Sequence, residues 1–148
     1  MTDQPPAGAT DPYEVARTSA QRMWAADAAS QRLGMQLLEV RPGYARLSMR
    51  ITGDMVNGHG IAHGGFVFAL ADSAFAFACN SYGGTTVAAH CDISYVSAVD
   101  RDDELIAEAV ERLRRGRNGI YDVTVSRAVD ATVVAEFRGR SRTLSARS

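Results

Sequence analysis

The chain has 148 residues, of which 46% are hydrophobic and 22% charged, a size and composition typical of one globular domain. Its 16 basic residues balance 17 acidic ones, so the net charge of −1 does not favour nucleic acid or an anionic membrane as a partner. All the basic residues are arginine, which excludes a Walker-type phosphate loop and mechanisms based on a Schiff-base lysine.

The cysteines and the apolar segments predict a soluble, cytoplasmic protein. Cys79 and Cys91 lie in apolar segments and are too few for a disulfide framework, so we expect reduced core thiols. The start of the chain has no basic segment followed by an apolar one, which predicts no secretory signal. The longest apolar run, 66–79, is shorter than the roughly 20 residues of a membrane span, and it contains Asp72.

The N-terminal part of the chain predicts a tail followed by a helix. Residues 1–10 carry almost no apolar side chains and predict a disordered tail, which leaves 11–148 as a single domain. Asp11 is a suitable N-cap, and Glu14 stands at the position that completes a capping box. We therefore expect a helix from Asp11 that ends before Gly34.

The middle of the chain predicts a hairpin, a loop and a buried helix. An apolar run from Met35, a turn at Pro42-Gly43 and strict alternation up to Ile51 predict two strands. The glycine-rich loop NGHGIAHGG covers 57–65. The following FVFALADSAFAFACNS is apolar on all sides for about four turns and predicts a buried helix, which Gly83-Gly84 ends.

The C-terminal half predicts further strands and contains one ambiguous segment. Alternation with a period of two predicts strands at 87–95, 121–129 and 133–139. In 103–115, by contrast, the apolar residues fit one helical face, and Glu111 and Arg115 have the spacing of a helical ion pair. The local pattern alone therefore predicts a helix there.

Asp72 is the candidate for catalysis, because it is a carboxyl among apolar neighbours in the middle of the buried helix. An unpaired carboxylate in that environment has a raised pKa or is held by donors, and either state suits a general base or a nucleophile. The alternative is a buried aspartate with a purely structural role. The residue pattern leaves both interpretations open.

The start of the same helix is a candidate oxyanion site. His63 precedes Gly64 and Gly65, whose missing side chains let a ligand approach the unpaired N–H groups of the first turn. These donors and the helix dipole can polarise a carbonyl. Gly64 lies eight residues before Asp72, about 12 Å along the axis. If both act on one substrate, they come from different chains of a dimer.

The stretch NGHGIAHGGFVFALADSAFAFACNSYG resembles the signature of hotdog-fold acyl-CoA thioesterases of the PaaI type. The resemblance implies an α+β hotdog fold, with an antiparallel sheet of about five to six strands around a long central helix and an N-terminal helix. It also implies homodimers that pair into homotetramers. The expected activity is hydrolysis of phenylacetyl-CoA or hydroxyphenylacetyl-CoA in phenylacetate degradation, with no cofactor beyond the coenzyme A of the substrate.

The resemblance also assigns roles to individual residues. It makes Asp72 the catalytic carboxylate and Gly64 the donor to the thioester carbonyl, with the two contributed by different subunits. Asn57 and His63 match flanking positions that orient the thioester or the attacking water. Residues expected to contact the substrate are Gly65, His90, Arg115 and Arg117, the two arginines through the phosphates of coenzyme A.

Further expectations follow from the resemblance and from the alternatives to it. The resemblance favours a strand over a helix at 103–115. His59 and His63 have the spacing of a metal pair, but their glycine-rich loop and the lack of a third ligand argue against a metal site. Cys79 is expected to be an inert core thiol. The alternative functions are a non-catalytic acyl-CoA-binding or regulatory protein, a thioesterase for other aryl or medium-chain acyl-CoAs, and a hotdog dehydratase. Asp72 argues against the first.

Overall fold

The computed structural model describes residues 11–145, so the tail predicted for residues 1–10 lies outside the described residues. Helix α1 spans Pro12–Ala26 and α2 spans Ala28–Arg32. The expected single helix is thus divided at Asp27, whose carboxylate accepts a 2.9 Å hydrogen bond from the Ser30 N–H and caps α2. An aspartate side chain that bonds to nearby backbone competes with helix continuation, which explains the break.

Six strands form one antiparallel sheet in the order β1-β2-β4-β5-β6-β3. The number of strands agrees with the predicted five to six. The strands are β1 Gln36–Arg41, β2 Tyr44–Arg50, β3 Thr86–Tyr95, β4 Glu104–Arg115, β5 Asn118–Arg127 and β6 Val133–Thr143.

The ambiguous segment is strand β4, so the helix predicted from its local pattern is wrong and the strand implied by the family resemblance is right. Its Leu105, Ala107 and Ala109 are fully buried. β4 pairs with β2 on one side and β5 on the other, which places it inside the sheet. Tertiary pairing and burial outweigh the local helical spacing here.

The central helix α3 spans Gly64–Cys79 and packs on one face of the sheet. Its Leu70 and Phe75 belong to the hydrophobic core, together with buried residues from β2, β4, β5 and β6. The approach to β6 is close, because a Cβ atom at Gly139 would lie 2.7 Å from the Phe75 ring. Phe75 therefore occupies the space that the missing side chain of Gly139 leaves in the sheet. Among residues 11–145, no helix is long and apolar enough to cross a membrane.

Strand β3 forms one edge of the sheet. It pairs with β6 along one side only, and its other side has no strand partner within the described residues. A register shift between Ala88 and His90 leaves Ala89 as an extra residue in the pairing. Most of its ten residues are exposed, and only Thr86, Cys91 and Ile93 are partly buried. The sheet therefore presents a long edge that can accept another strand.

Candidate functional site

An apolar groove of about 430 Å³ lies at the N-terminal end of α3, between its first turn and the segment 95–99. The side chains of Ile61, Val67 and Val96 contribute to its lining. Gly64 is also part of the lining, so the start of the helix faces the groove. A pocket with apolar walls and few polar groups is the usual form of a small-molecule site.

The glycine-rich loop before α3 is a hydrogen-bonded turn. The Asn57 N–H donates to the Ile61 carbonyl at 2.8 Å, and the Asn57 side-chain oxygen accepts from the His59 N–H at 2.9 Å. The Ala62 N–H donates to the Val99 carbonyl at 2.7 Å. The turn therefore anchors the start of α3 and places Asn57 in the groove wall.

The first turn of α3 offers one backbone donor to the groove. The Gly65 N–H donates to Nδ1 of His63 at 3.0 Å, so His63 is the N-cap of the helix. The Gly64 N–H has no acceptor within residues 11–145, although Gly64 lines the groove. With the positive end of the helix dipole behind it, this N–H is placed to polarise a carbonyl. Of the two glycines, only Gly64 keeps its donor available.

Tyr95 completes the groove, and no sequence pattern singled it out. Its hydroxyl donates to the Gly64 carbonyl at 2.8 Å, and its ring lines the groove. The two residues are separated by 31 positions. No spacing rule connects the end of a strand with a preceding helix start, so sequence patterns could not identify this contact.

Asp72 lies about two turns further along α3 and is half-buried. Its carboxylate accepts no hydrogen bond and forms no ion pair within the described part of the chain, and burial raises its pKa above the usual range. A carboxylate without donors, in a poorly solvated position, accepts a proton more readily than an exposed one. The position therefore suits a general base.

The cysteines near Asp72 are not activated thiols. Burial is the main cause that raises the pKa of Cys79 to about 12, and the negative charge of Asp72 acts in the same direction. Burial and Asp72 also raise the pKa of Cys91. Both thiols are free and protonated at neutral pH, which agrees with an inert role for Cys79.

The other predicted contacts lie away from the groove within one chain. His90 is exposed on β3, with Nε2 3.9 Å from a carboxylate oxygen of Asp92. Arg115 and Arg117 lie at the β4–β5 turn, near the Thr86 end of β3. The groove lies at the other end of that strand, about 30 Å away for ten residues. One chain therefore brings together Asn57, His63, Gly64 and Gly65, but not His90, Asp72 or the two arginines.

The described residues provide no set of ligands for a metal site that includes His59 and His63. Within 11–145, no group of three or more histidine, cysteine, aspartate or glutamate side chains is arranged to hold a metal ion. His63 uses its Nδ1 atom to cap α3, and His59 lies in the preceding turn.

The sequence and the fold are those of a known class of enzyme. The thioesterase superfamily profile matches residues 59–134, about half of the chain, including the glycine-rich loop, α3 and the strands that follow. The chain belongs to the thioesterase superfamily and is a thioester hydrolase. The predicted hotdog fold is confirmed by the same comparison and by the solved structures below.

Individual relatives place the chain within that superfamily. It is 39% identical over 123 residues to the acyl-coenzyme A thioesterase PaaI of Escherichia coli, an alignment that covers 83% of this chain and 87% of the relative. The solved structure of the E. coli PaaI protein from the phenylacetic acid degradation operon superposes with a TM-score of 0.88 at 36% identity, covering 91% of this chain and 97% of that one. A protein of Thermus thermophilus gives a TM-score of 0.74 at 37% identity, covering 78% and 96%. The predicted resemblance to the PaaI type is thus confirmed.

Proposed function

We propose that the chain is an acyl-CoA thioesterase that hydrolyses aryl-acetyl-CoA thioesters to the free acid and coenzyme A. The observation that carries this proposal is the Gly64 N–H at the start of α3, which has no acceptor within residues 11–145 and belongs to a residue that lines an apolar groove. The half-buried, unpaired Asp72 supplies the second chemical group. Similarity to an acyl-coenzyme A thioesterase over most of the chain supports the same substrate class.

The active site is shared between two subunits of a homodimer. Gly64 and Asp72 of one chain are about 12 Å apart along α3, which is too far for both to act on one carbonyl. Pairing of two β3 edges in antiparallel fashion around a two-fold axis extends the sheet and sets the two α3 helices side by side. Each Gly64 then lies near Asp72 of the partner subunit. Two such dimers form the homotetramer implied by the family.

The proposed reaction begins with the thioester carbonyl oxygen bound to the Gly64 N–H. Asp72 of the partner subunit accepts a proton from water, and the resulting hydroxide attacks the carbonyl carbon. Attack by the carboxylate itself, followed by hydrolysis of the anhydride, uses the same group. The Gly64 N–H and the helix dipole stabilise the oxyanion, and the C–S bond then breaks. The coenzyme A thiolate leaves and takes up a proton.

Other residues orient the substrate in this proposal. Asn57 and His63 hold the loop and the first turn of α3 at the thioester. Gly65, whose missing side chain leaves room for the His63 ring, contacts the substrate through its backbone. His90 lies on the β3 edge and reaches the substrate from that interface. No cofactor takes part, because Asp72 and Gly64 supply the base and the oxyanion donor. The free thiols of both cysteines favour a cytoplasmic location.

An arginine patch on the outer face of the sheet binds the nucleotide end of coenzyme A. Strand pairing sets Arg115 beside Asn118 and Asn118 beside Arg142, while Arg140 pairs with Ile120 in the next row. A cavity of about 300 Å³ lies there, with an apolar floor that includes Leu113 and Ile120. We define the arginine patch as four residues: Arg115, Arg117, Arg140 and Arg142.

The chemistry and the place of the patch both fit this role. Guanidinium groups bind phosphates strongly, and the apolar floor suits a purine base. Antiparallel pairing of two β3 strands also brings the Thr86 end of one strand beside the Tyr95 end of the other. The arginine patch of one subunit then lies on the side of the dimer where the partner's groove opens.

Thiol release from a panel of aryl and alkyl acyl-CoA substrates tests the activity. We expect the highest kcat/KM with arylacetyl-CoA, and loss of turnover with retained coenzyme A binding in Asp72→Asn. Full activity in Asp72→Asn would disprove the mechanism. Absence of turnover with every thioester, together with binding of coenzyme A, would favour the non-catalytic alternative.

A comparison of two substrates tests the arginine patch. Arg140→Gln and Arg115→Gln are expected to raise KM for arylacetyl-CoA about tenfold and to leave KM for the arylacetyl-pantetheine thioester unchanged. Arg46→Gln is the matched control, because Arg46 is a partly exposed arginine on β2, outside the patch, and forms an ion pair with Glu39. Equal effects on both substrates would contradict a nucleotide contact.

A further inference from the structure

The contact between Tyr95 and Gly64 joins the sheet to the start of α3. The Tyr95 hydroxyl donates to the Gly64 carbonyl at 2.8 Å. The ring is equally close, because a Cβ atom at position 64 would lie 3.0 Å from Cζ of Tyr95. The absence of a side chain at Gly64 thus lets the tyrosine reach the helix backbone.

Tyr95 is itself held firmly by the sheet. It is the last residue of β3 and pairs with Ala135 of β6. The next two residues continue this anchorage, since the N–H groups of Val96 and Ser97 donate to the Val134 carbonyl at 2.9 and 3.3 Å. The backbone of Tyr95 is therefore fixed, and the hydroxyl is held by its bond to the Gly64 carbonyl, although the side chain is 52% exposed.

Two side chains bond to the peptide between Gly64 and Gly65 in the first turn of α3. His63 accepts from the Gly65 N–H, and Tyr95 donates to the Gly64 carbonyl. Two successive glycines have wide conformational freedom, and the two contacts fix the peptide between Gly64 and Gly65 at both its N–H and its carbonyl. Because this peptide adjoins the one that carries the Gly64 N–H, the contacts also restrict the direction of that N–H, which has no acceptor within residues 11–145.

We infer that Tyr95 is a positioning residue of the thioesterase reaction, which holds Gly64 so that its N–H points at the thioester oxygen. This inference rests on the proposed function, because it concerns the same oxyanion donor. Tyr95 does not exchange a proton with the substrate. It keeps the donor aligned before the charge develops, which is where a rigid donor contributes most.

Tyr95→Phe removes the hydroxyl and keeps the ring against Gly64. We expect kcat to fall about 3- to 10-fold, the effect of one net hydrogen bond, while KM stays within about twofold. The matched control is Tyr44→Phe, whose hydroxyl bonds Glu108 at 2.6 Å on another part of the sheet. Unchanged kcat in Tyr95→Phe, or a rise in KM alone, would overturn the inference.

Infrared spectroscopy gives a second measurement that does not need turnover. In Asp72→Asn the thioester stays intact, and its bound carbonyl is expected to absorb at lower frequency than in solution because Gly64 donates to it. Adding Tyr95→Phe should move the band back towards the solution value. An unmoved band would contradict the role of Tyr95. A wild-type enzyme without turnover would instead disprove the proposed function, so the two failures are distinguishable.

The position of Tyr95 at the β3 edge requires one more control. Sedimentation of wild type and Tyr95→Phe at the assay concentration should give the same oligomeric state. If the variant dissociates and its activity returns at high protein concentration, the loss arises from assembly and the inference fails.

Discussion

The two ends of α3 differ in how their backbone groups are satisfied. At the C-terminal end, the Asn80 side chain donates to the carbonyls of Ala76 and Thr86 at 2.9 and 3.0 Å and accepts from the Thr86 N–H at 2.8 Å. The Ser19 hydroxyl donates to the Asn80 carbonyl at 2.7 Å. At the N-terminal end, the Gly64 N–H has no acceptor within the described residues.

In the proposed mechanism, this difference lets one helix combine a stable end with an end that binds the substrate. The bonds of Asn80 attach the C-terminal end of α3 to α1 and to the start of β3. The core contacts of α3 hold its middle. The N-terminal end can therefore keep a donor for the substrate, since the helix does not depend on that donor for its position. We expect changes at the N-terminal end to alter catalysis with at most a small loss of stability, and changes at the C-terminal end to alter stability alone.

The largest effect is expected for Asp72→Asn, which keeps the shape of the side chain and removes its basic oxygen. Loss of the general base should lower kcat about 10²- to 10⁴-fold. Thiol release and binding of coenzyme A, measured on the same preparation, check this result. A decrease of less than tenfold would mean that another group activates the water.

The same variant tests the raised pKa of Asp72 through stability. Between the ordinary pKa of aspartate and the raised one, the folded chain binds more protons than the unfolded chain, so wild-type stability falls as the pH rises through that range. Asp72→Asn lacks this titration. Denaturant unfolding should therefore show that it is more stable than wild type at pH 7, with a difference that shrinks at acidic pH. An equal difference at all pH values would contradict a raised pKa.

The second effect concerns the donor at the N-terminal end. Gly64→Pro removes the N–H at the first helical position, where proline is tolerated, and His63 already has the extended backbone that a following proline requires. Gly64→Ala is the matched control, because it adds a Cβ atom near Tyr95 and keeps the N–H. We expect kcat of the proline variant to be about 10²- to 10³-fold below that of the alanine variant. Equal kcat values would exclude Gly64 as the oxyanion donor.

The C-terminal end is tested by Asn80→Ala. Removal of a buried amide leaves the Thr86 N–H and carbonyl without partners and should lower the free energy of unfolding by about 2 to 3 kcal/mol. Urea unfolding measures this change, and Gln21→Ala on the exposed face of α1 serves as the control. The kcat of the folded fraction should stay within about twofold of wild type. A large loss of kcat would mean that the two ends of α3 are coupled.

The smallest effect is expected at the cap of α3. His63→Ala removes the acceptor for the Gly65 N–H and should lower the free energy of unfolding by about 1 kcal/mol. His63→Asn restores a capping oxygen and should recover most of this loss. If both variants are as stable as wild type, the cap does not stabilise the helix.

The sequence predicted those parts of the molecule that depend on local patterns or on a signature. The alternation of β2 and the continuous apolar run of α3 were sufficient to place both elements. Gly64 and Asp72 could be chosen because their residue types are unusual at a helix start and in a helix core. The signature then supplied the fold class, which the local patterns left open.

Local sequence patterns could not predict other features, because these features depend on residues that are distant in the sequence. β4 is a strand because β2 and β5 pair with it on both sides, although its residues have helical spacing. The Asp27 carboxylate divides the first helix through a bond that propensity does not reveal. The Tyr95–Gly64 contact depends on the end of β3 lying beside the start of α3, and only the tertiary structure brings these two segments together.

The contact of Phe75 with Gly139 also sets how far Asp72, the proposed base, lies from the sheet. Phe75 lies three residues, less than one helical turn, after Asp72 on the same rigid helix. Any side chain at position 139 would push that ring, and the helix with it, away from the sheet. The two positions are therefore expected to be energetically coupled, so that a larger residue at 139 lowers stability less when the side chain at 75 is smaller. In the proposed mechanism, the packing of α3 against β6 thus also determines where the Asp72 carboxylate lies.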